Sequence, residues 1–170
     1  RGFTGQDGVA CTACIVGTYK DVNGSTPCSL CSRGKYSTDT GEILESTCSQ
    51  CPAYTHSPDG SGLLTNCTCN KGYTGPDGIQ CVACTVGTYK DVNGSAPCSP
   101  CSEGKYSAET AQISESTCSQ CPKHTYSGMG SRVLTNCTCN KGYTGPDGIQ
   151  CAACIARTDE GPDGAAPCNL

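Results

Sequence analysis

The cysteines of this chain follow a repeat of 70 residues, and no other feature restricts the possible fold as strongly. Residues Gly72 to Cys81 return unchanged as Gly142 to Cys151, and a variant of the same segment stands at Gly2 to Cys11. Between these segments the spacing is the same each time: CxxC, CxxC, CxxC and CxC. A fixed period of this kind is typical of an array of like units that contact their neighbours. Enzymes seldom have such a sequence, whereas rods, stalks and binding scaffolds often do.

The composition indicates a fold that depends on disulfides. The 170 residues include 19 cysteines, one phenylalanine, one methionine and no tryptophan. A cysteine content above a tenth is typical of a disulfide scaffold, and so few large apolar side chains cannot build one sizeable core. We therefore expect a small disulfide-rich fold, mostly coil with short β-hairpins, arranged as an elongated tandem-repeat rod without a single hydrophobic core.

Local signals refine this expectation. Thr18–Lys20 could form a strand of two to four residues, and Asn23-Gly24 is a strong signal for a type I′ hairpin turn, as is Asn93-Gly94. We expect at most one helical turn, near Thr40–Glu45.

Charge and cysteine usage restrict the compartment and the partners. The net charge is −4 and no basic patch is present, so nucleic acid is not an expected partner. No apolar run has the length of a membrane span, and no signal peptide is recognisable. Abundant cysteines in an even distribution indicate an oxidising compartment, so we expect an extracellular or cell-surface location. Because the sequence starts at Arg1, we expect a processed protein or an internal piece of a longer one.

The repeat also predicts the domain organisation. We place one cysteine-rich repeat at 2–71, a second at 72–141, and the start of a diverged third repeat at 142–170.

Three regular pairing schemes fit the cysteine spacing, and the sequence does not choose between them. In a forward scheme the second cysteine of each group bonds to the first of the next, which we take as the working assignment. Its pairs are Cys14–Cys28, Cys31–Cys48, Cys51–Cys67, Cys69–Cys81, Cys84–Cys98, Cys101–Cys118, Cys121–Cys137, Cys139–Cys151 and Cys154–Cys168.

The two other schemes cross. An EGF-like variant keeps the first and fourth of these pairs and joins Cys31 to Cys51 and Cys48 to Cys67. A fully crossed scheme begins with Cys11–Cys28 and leaves Cys154 alone, whereas the forward and EGF-like schemes leave only Cys11 alone. Under every scheme the missing partner falls just outside the sequence, so we expect a segment of a longer array.

The order of motifs resembles a known family. The string CxACxxGTYKDxxGxxxCxxC, then CPxxTxS, then NCTCxxGY, resembles the cysteine-rich region of ephrin-receptor tyrosine kinases. The matching residues are Cys81-Val82-Ala83-Cys84, Gly87-Thr88-Tyr89-Lys90, Cys98, Cys101, Cys118-Ser119-Gln120-Cys121-Pro122, Asn136-Cys137-Thr138-Cys139 and Gly142-Tyr143. Similar repeats, close to EGF-like and TNF-receptor-like modules, occur in tandem in large surface proteins of protists and algae. The resemblance implies a disulfide-stapled, β-poor module without catalytic activity, and the chain contains no kinase signature.

Four sequons are candidates for N-glycosylation. They start at Asn23, Asn66, Asn93 and Asn136, in two pairs one period apart. Repeated sequons in an extracellular chain are better evidence than a single one. The alternative is that Asn23 and Asn93 are only turn residues. Serine and threonine are frequent, so O-linked glycans are also plausible partners.

No motif indicates catalysis, a metal or a cofactor. The CxxC-x13-CxxC spacing is close to that of a zinc ribbon, but the sequons, the odd CxC and the lack of ligating histidines argue against zinc. Asp21, Asn23 and Ser25 have the spacing of calcium ligands without the remaining oxygen ligands. We therefore predict that the protein is not an enzyme.

Two function classes remain. The first is a structural repeat segment of an extracellular filament, surface appendage or stalk, which contacts copies of itself because like units suit periodic assembly. The second is a spacer or ligand-binding ectodomain of a cell-surface receptor or adhesin. A variant surface coat antigen is a third possibility.

Overall fold

The computed structural model describes residues 1–6 and 8–154. The chain divides into two compact units. The first consists of Arg1–Val82 and Val92–Pro97, and the second of Ala83–Asp91 and the described part of Cys98–Leu170.

Short antiparallel hairpins are the repeated element of both units. Each strand has two residues, and each pairs with one partner in a two-stranded sheet. In chain order the pairs are β1 (Phe3–Thr4) with β2 (Thr12–Ala13), β3 (Thr18–Tyr19) with β4 (Ser29–Leu30), β5 (Lys35–Tyr36) with β6 (Ser49–Gln50), β7 (Thr55–His56) with β8 (Thr68–Cys69), β9 (Tyr73–Thr74) with β10 (Val82–Ala83), β11 (Thr88–Tyr89) with β12 (Ser99–Pro100), β13 (Lys105–Tyr106) with β14 (Ser119–Gln120), β15 (Thr125–Tyr126) with β16 (Thr138–Cys139), and β17 (Tyr143–Thr144) with β18 (Ala152–Ala153). Coil surrounds these strands, so the predicted fold class is confirmed.

Two local predictions are wrong. Strands β3 and β4 pair Thr18 with Leu30, and β11 and β12 pair Thr88 with Pro100. Each connection is therefore a long loop rather than a two-residue turn at Asn23-Gly24 or Asn93-Gly94. The physical reason is that the loop folds around Lys20, whose side chain is only 1% exposed and donates a hydrogen bond to the carbonyl of Gly24.

The helical elements are also misplaced. They are 3-10 turns at Glu45–Thr47, Leu64–Asn66, Glu115–Thr117 and Leu134–Asn136. The first begins where the predicted helical turn near Thr40–Glu45 ends, and each leads into the second strand of a hairpin. The carbonyl of Glu45 accepts a hydrogen bond from the amide of Cys48, so each turn ends at a half-cystine.

Half-cystines form the interior. Among the described residues, the buried apolar side chains are all cysteines, for example Cys31 and Cys67 at 0% exposure, whereas the large aliphatic side chains stay exposed. A two-stranded hairpin of this length has little stability by itself in water. The disulfides and the hydrogen bonds between hairpins therefore have to supply what a hydrophobic core supplies elsewhere.

Backbone hydrogen bonds connect successive hairpins inside each unit. The amide of Gly17 donates to the carbonyl of Ser37 at 2.8 Å, and the amide of Gly34 donates to that of Ser57 at 2.9 Å. The amide of Gly60 donates to the carbonyl of Cys31 at 2.8 Å. In the second unit, Gly87, Gly104 and Gly130 make the corresponding bonds. Each hairpin is thus fixed to the next by its main chain, whatever side chains lie on its surface.

The residue just before the first strand of each hairpin has a positive φ, and these residues divide each repeat into four parts. Glycine occupies this position at Gly17, Gly34 and Gly72, with φ between 74° and 81°. The exception is Tyr54, at φ 62°, whose ring stacks on Tyr73 with centroids 4.3 Å apart. His124, at φ 64°, stacks in the same way on Tyr143 at 4.1 Å. A left-handed conformation is costly for a side chain, and the stacking helps to offset it.

A further strained position yields a stability prediction. Ala111 has φ 57° where the first repeat has Gly41 at φ 74°. Glycine adopts this conformation without steric cost but loses more chain entropy on folding, so Ala111→Gly is expected to stabilise the protein by about 0.5 kcal/mol. Gly41→Ala is expected to destabilise it. Thermal unfolding of both variants measures the two shifts, and equal signs would contradict the strain at Ala111.

Candidate functional site

Eight disulfides join the described cysteines. They are Cys14–Cys28, Cys31–Cys48, Cys51–Cys67, Cys69–Cys81, Cys84–Cys98, Cys101–Cys118, Cys121–Cys137 and Cys139–Cys151. The Cα atoms of a pair lie 5.6 to 5.9 Å apart, which is the usual range. This arrangement is the forward scheme and not either crossed scheme. The ninth pair of that scheme, Cys154–Cys168, includes Cys168, which lies outside the described residues.

Cys11 is the free cysteine among the described residues, and it is exposed. Its counterparts one and two periods later, Cys81 and Cys151, are both bonded. The free thiol of Cys11 therefore stands at a position that has a disulfide in the two later copies of the segment.

All four sequon asparagines are exposed, and two of them hold a 3-10 turn. Asn66 Oδ1 accepts the amide of Leu63 at 3.0 Å, and Asn136 Oδ1 accepts the amides of Arg132 and Val133 at 3.0 and 3.2 Å. These bonds satisfy donors at the start of a 3-10 turn. They use the carbonyl oxygen, whereas an N-linked glycan is attached at Nδ2.

The other two asparagines lie in the loop that surrounds a buried lysine. Asn93 Oδ1 accepts the amide of Lys71 at 3.0 Å, and its Nδ2 lies 3.4 Å from Nε2 of His56. Asn23 Oδ1 accepts a hydrogen bond from the amino group of Arg1 at 2.9 Å. Both side chains thus fix the loop to the chain just before a hairpin, at Arg1 and at Lys71, and leave it on the surface.

The buried lysines were not found from the sequence. Lys20 and Lys90 are 1% and 2% exposed, and burial of an ammonium group is costly without hydrogen bonds. The sequence shows a lysine at both positions, one period apart, but a lysine at the end of a strand normally lies on the surface.

A second group also escaped the sequence reasoning. Glu45 Oε1 accepts hydrogen bonds from Ser32 Oγ and from Lys35 Nζ, the latter at 3.2 Å. Glu115 makes the same contacts with Ser102 and Lys105. The hydrogen bond from the serine, followed by that from the lysine, lowers the pKa of each glutamate below its usual 4.5. The sequence did contain a signal for this contact, because the serine, the lysine and the glutamate recur at the same spacing in both repeats.

These glutamates predict acid sensitivity. A carboxylate whose pKa is lowered by folding stabilises the folded state above the unfolded-state pKa, and this contribution is lost as the pH falls through the lower, folded-state value. We expect the thermal midpoint to fall below pH 4.5 less steeply in Glu45→Gln/Glu115→Gln than in the parent protein. Ser32→Ala/Ser102→Ala, which keeps the charges, should show a reduced slope as well. Identical pH profiles would contradict the prediction.

The described residues contain no group of three or more histidine, cysteine, aspartate or glutamate side chains arranged to hold a metal ion. Likewise, no helix in this part of the chain is long and apolar enough to cross a membrane.

Comparison with known proteins identifies the family. Residues 2–42 and 72–118 match the family described as tyrosine-protein kinase ephrin type A/B receptor-like, and the two stretches together make up more than half of the chain. They cover corresponding parts of the first and second repeats, which confirms the resemblance of the tandem motifs.

Curated relatives include a receptor and a surface antigen by name. Rat sushi, von Willebrand factor type A, EGF and pentraxin domain-containing protein 1 is 31% identical over 155 residues, which cover 86% of this chain and 4% of the relative. Xenopus laevis ephrin type-A receptor 4-B is 34% identical over 100 residues, 55% of this chain and 8% of the receptor. Giardia intestinalis major surface-labeled trophozoite antigen 417 is 32% identical over 144 residues, 84% of this chain and 19% of the antigen.

The chain thus spans only a small fraction of the curated relatives that it matches. Disulfide-rich repeats and these relatives together establish an extracellular or cell-surface location. The hairpins, the disulfides and the matched stretches of both repeats lead to one conclusion: the chain belongs to the ephrin type A/B receptor-like family of cysteine-rich repeats.

Proposed function

We propose that the chain is a non-catalytic structural segment of an extracellular filament, surface appendage or stalk, and that it contacts copies of itself. The supporting observation is the main-chain connection between hairpins, in which glycine amides such as that of Gly17 bond to the next hairpin. Such a connection depends little on surface side chains, so like units can be added along a line. We keep the repeat boundaries 2–71, 72–141 and 142–170 as part of this proposal.

Microscopy and scattering test the assembly. The purified chain is expected to form filaments or elongated particles in negative-stain images, with a radius of gyration above the 16 Å or so of a globular domain of this length. A compact, monodisperse globule in small-angle scattering would overturn the proposal.

We further propose that N-linked glycans cover this segment at Asn23, Asn66, Asn93 and Asn136. Expression in a eukaryotic secretory host should give glycopeptides that lose mass on glycosidase treatment. Because Asn66 and Asn136 also hold 3-10 turns, Thr68→Ala and Thr138→Ala are the better variants, since they remove the sequon and keep the asparagine. Ser25→Ala and Ser95→Ala serve the other two sites. Glycan-free peptides at all four sites would contradict the proposal.

A second candidate is a spacer or ligand-binding ectodomain of a receptor or adhesin. It is favoured by the names of two relatives, an ephrin type-A receptor and a trophozoite surface antigen. This candidate predicts a particle that stays monomeric at high concentration. Sedimentation over a concentration series therefore distinguishes it from the filament segment.

A further inference from the structure

The two repeats differ in a restricted set of surface positions. Most residues are identical one period apart, including exposed stretches such as Asp21–Ser25, which returns as Asp91–Ser95. Exposure alone therefore does not explain where the repeats diverge. Two groups of these substitutions change the charge and the apolar character of the surface, one at residues 39–44 of the first repeat and one at residues 123–133 of the second.

The first place is an acidic apolar surface in the first repeat, which we name the acidic patch. It consists of Asp39, Glu42, Ile43 and Leu44, which lie within six residues between β5 and β6. Ile43 and Leu44 are 44% and 45% exposed, and neither carboxylate forms an ion pair with a described residue.

At the corresponding positions the second repeat is less acidic and less apolar. Glutamine replaces the glutamate at Gln112 and serine replaces the leucine at Ser114. Glu109 and Ile113 keep the carboxylate of Asp39 and the isoleucine of Ile43, so the first repeat has one more carboxylate and one more apolar side chain on this surface than the second.

The second place is a basic apolar surface in the second repeat, which we name the basic patch. It consists of Lys123, Tyr126, Met129, Arg132 and Val133, in the segment formed by the turn before β15, β15 itself and the loop after it. Met129 is the only methionine of the chain and is 65% exposed, with Tyr126 and Val133 also exposed. Tyrosine, methionine and arginine are enriched in protein interfaces, and methionine adapts to irregular partners.

The first repeat lacks this surface as well. It has alanine, aspartate and glycine at Ala53, Asp59 and Gly62, where the second repeat has the lysine, the methionine and the arginine. The residues that hold the loop are unchanged, since Ser57 and Ser127 are both buried and donate to the carbonyls of Lys35 and Lys105. One carboxylate, Glu103, borders the basic patch and hydrogen-bonds Tyr126, which leaves the patch with a net positive charge.

We propose that the acidic patch of one copy of this chain docks on the basic patch of another. Each patch has exposed apolar side chains, which are bordered by negative charges on the acidic patch and by a net positive charge on the basic patch. Opposite potentials on two surfaces favour their contact. A contact between two different surfaces is heterologous, so it leaves one free patch of each kind on the pair and continues into a polymer or closes into a ring. The inference rests on the proposed self-association and assigns its contact surfaces.

Charge reversal tests the docking. The 170-residue chain is made in the bacterial periplasm, where no glycan is added, with Cys11→Ser to exclude cross-linking through the free thiol. One variant carries Asp39→Lys/Glu42→Lys and the other Lys123→Glu/Arg132→Glu. Each alone should associate at least about tenfold more weakly in sedimentation experiments, because like charges then face each other.

Mixing the two reversed variants is the decisive measurement. Each reversed patch then meets an oppositely charged patch on the other variant, so the mixture should regain parent-like association. The matched controls, Asp21→Lys/Asp91→Lys and Lys71→Glu/Lys141→Glu, change the net charge equally at exposed residues and should leave association unchanged.

The outcomes separate the two proposals. If the parent chain associates and each reversed variant associates as strongly as the parent, the docking is overturned and the filament proposal stays intact. The same holds if the mixture of the two variants stays dissociated. A parent chain that remains monomeric at every concentration would overturn both. Leu44→Ser and Met129→Asp give a second test, in which an exposed apolar side chain is replaced by the residue that the other repeat already has at that position. Both variants should weaken association, and Leu44→Ser does so without any change of charge.

Discussion

The double variant Cys31→Ser/Cys48→Ser is expected to lose about 3 kcal/mol of unfolding free energy, because the disulfide closes a loop in the unfolded chain. The two residues are separated by 17 positions, and both side chains are buried, at 0% and 6% exposure. The loss should be larger than in a protein with an apolar core, since half-cystines are the buried apolar groups of this fold. Chemical unfolding followed by circular dichroism measures the difference.

Two comparisons make this prediction specific. Cys101→Ser/Cys118→Ser removes the corresponding bond of the second repeat and should have a similar effect. Cys11→Ser, at the free and exposed thiol, should have almost none. Non-reducing peptide mapping of the parent protein should yield the eight forward pairs, whereas a Cys31–Cys51 peptide would support the EGF-like scheme. A loss below about 1 kcal/mol in the double variants would show that the bonds constrain little.

The second large effect is expected at Gly17. Its φ is 74°, and an added Cβ would lie 2.2 Å from the carbonyl oxygen of Gly60 and 2.6 Å from its carbon. Backbone cannot move aside as a flexible side chain can, and the amide of Gly17 also bonds to Ser37. Gly17→Ala should therefore cost about 3 kcal/mol, through the left-handed conformation and the overlap together.

Gly34 is the matched control for this substitution. It occupies the same turn position of the next hairpin with φ 81°, but the nearest atom to an added Cβ is the amide nitrogen of Gln50 at 3.8 Å. Gly34→Ala should thus lower the free energy of unfolding by about 1 kcal/mol, through the strain of the left-handed backbone alone. The same contrast is available in the second unit with Gly87 and Gly104. Thermal unfolding of the four variants measures it, and equal losses at Gly17 and Gly34 would show that the close approach to Gly60 is not limiting.

The sequence predicted the parts of this fold that depend on periodicity and composition. The strand at Thr18–Tyr19 and the disulfide-rich coil followed from composition and spacing. The type I′ turn at Asn23-Gly24 failed because a buried lysine, a contact that spacing does not reveal, organises the loop.

The choice among pairing schemes required three-dimensional proximity. The CxxC spacing alone permits bonds between adjacent or alternate groups, so Cys31 could be assigned to Cys48 or to Cys51. For the candidate sites, the sequons were visible, but the use of Asn66 as a 3-10 cap was not. Glu45 likewise looked like an ordinary surface residue, because its partners Ser32 and Lys35 belong to the preceding hairpin turn and strand.

The interior of half-cystines has a thermodynamic consequence. Exposure of apolar surface is what gives unfolding its large positive heat capacity change. In the described part of this chain most large aliphatic side chains are already partly in contact with water, so unfolding adds less such surface than in a protein with an apolar core. The stability curve should therefore be unusually flat with temperature. For a protein built in this way, the thiol–disulfide balance of its surroundings, more than heat or cold, determines whether it stays folded.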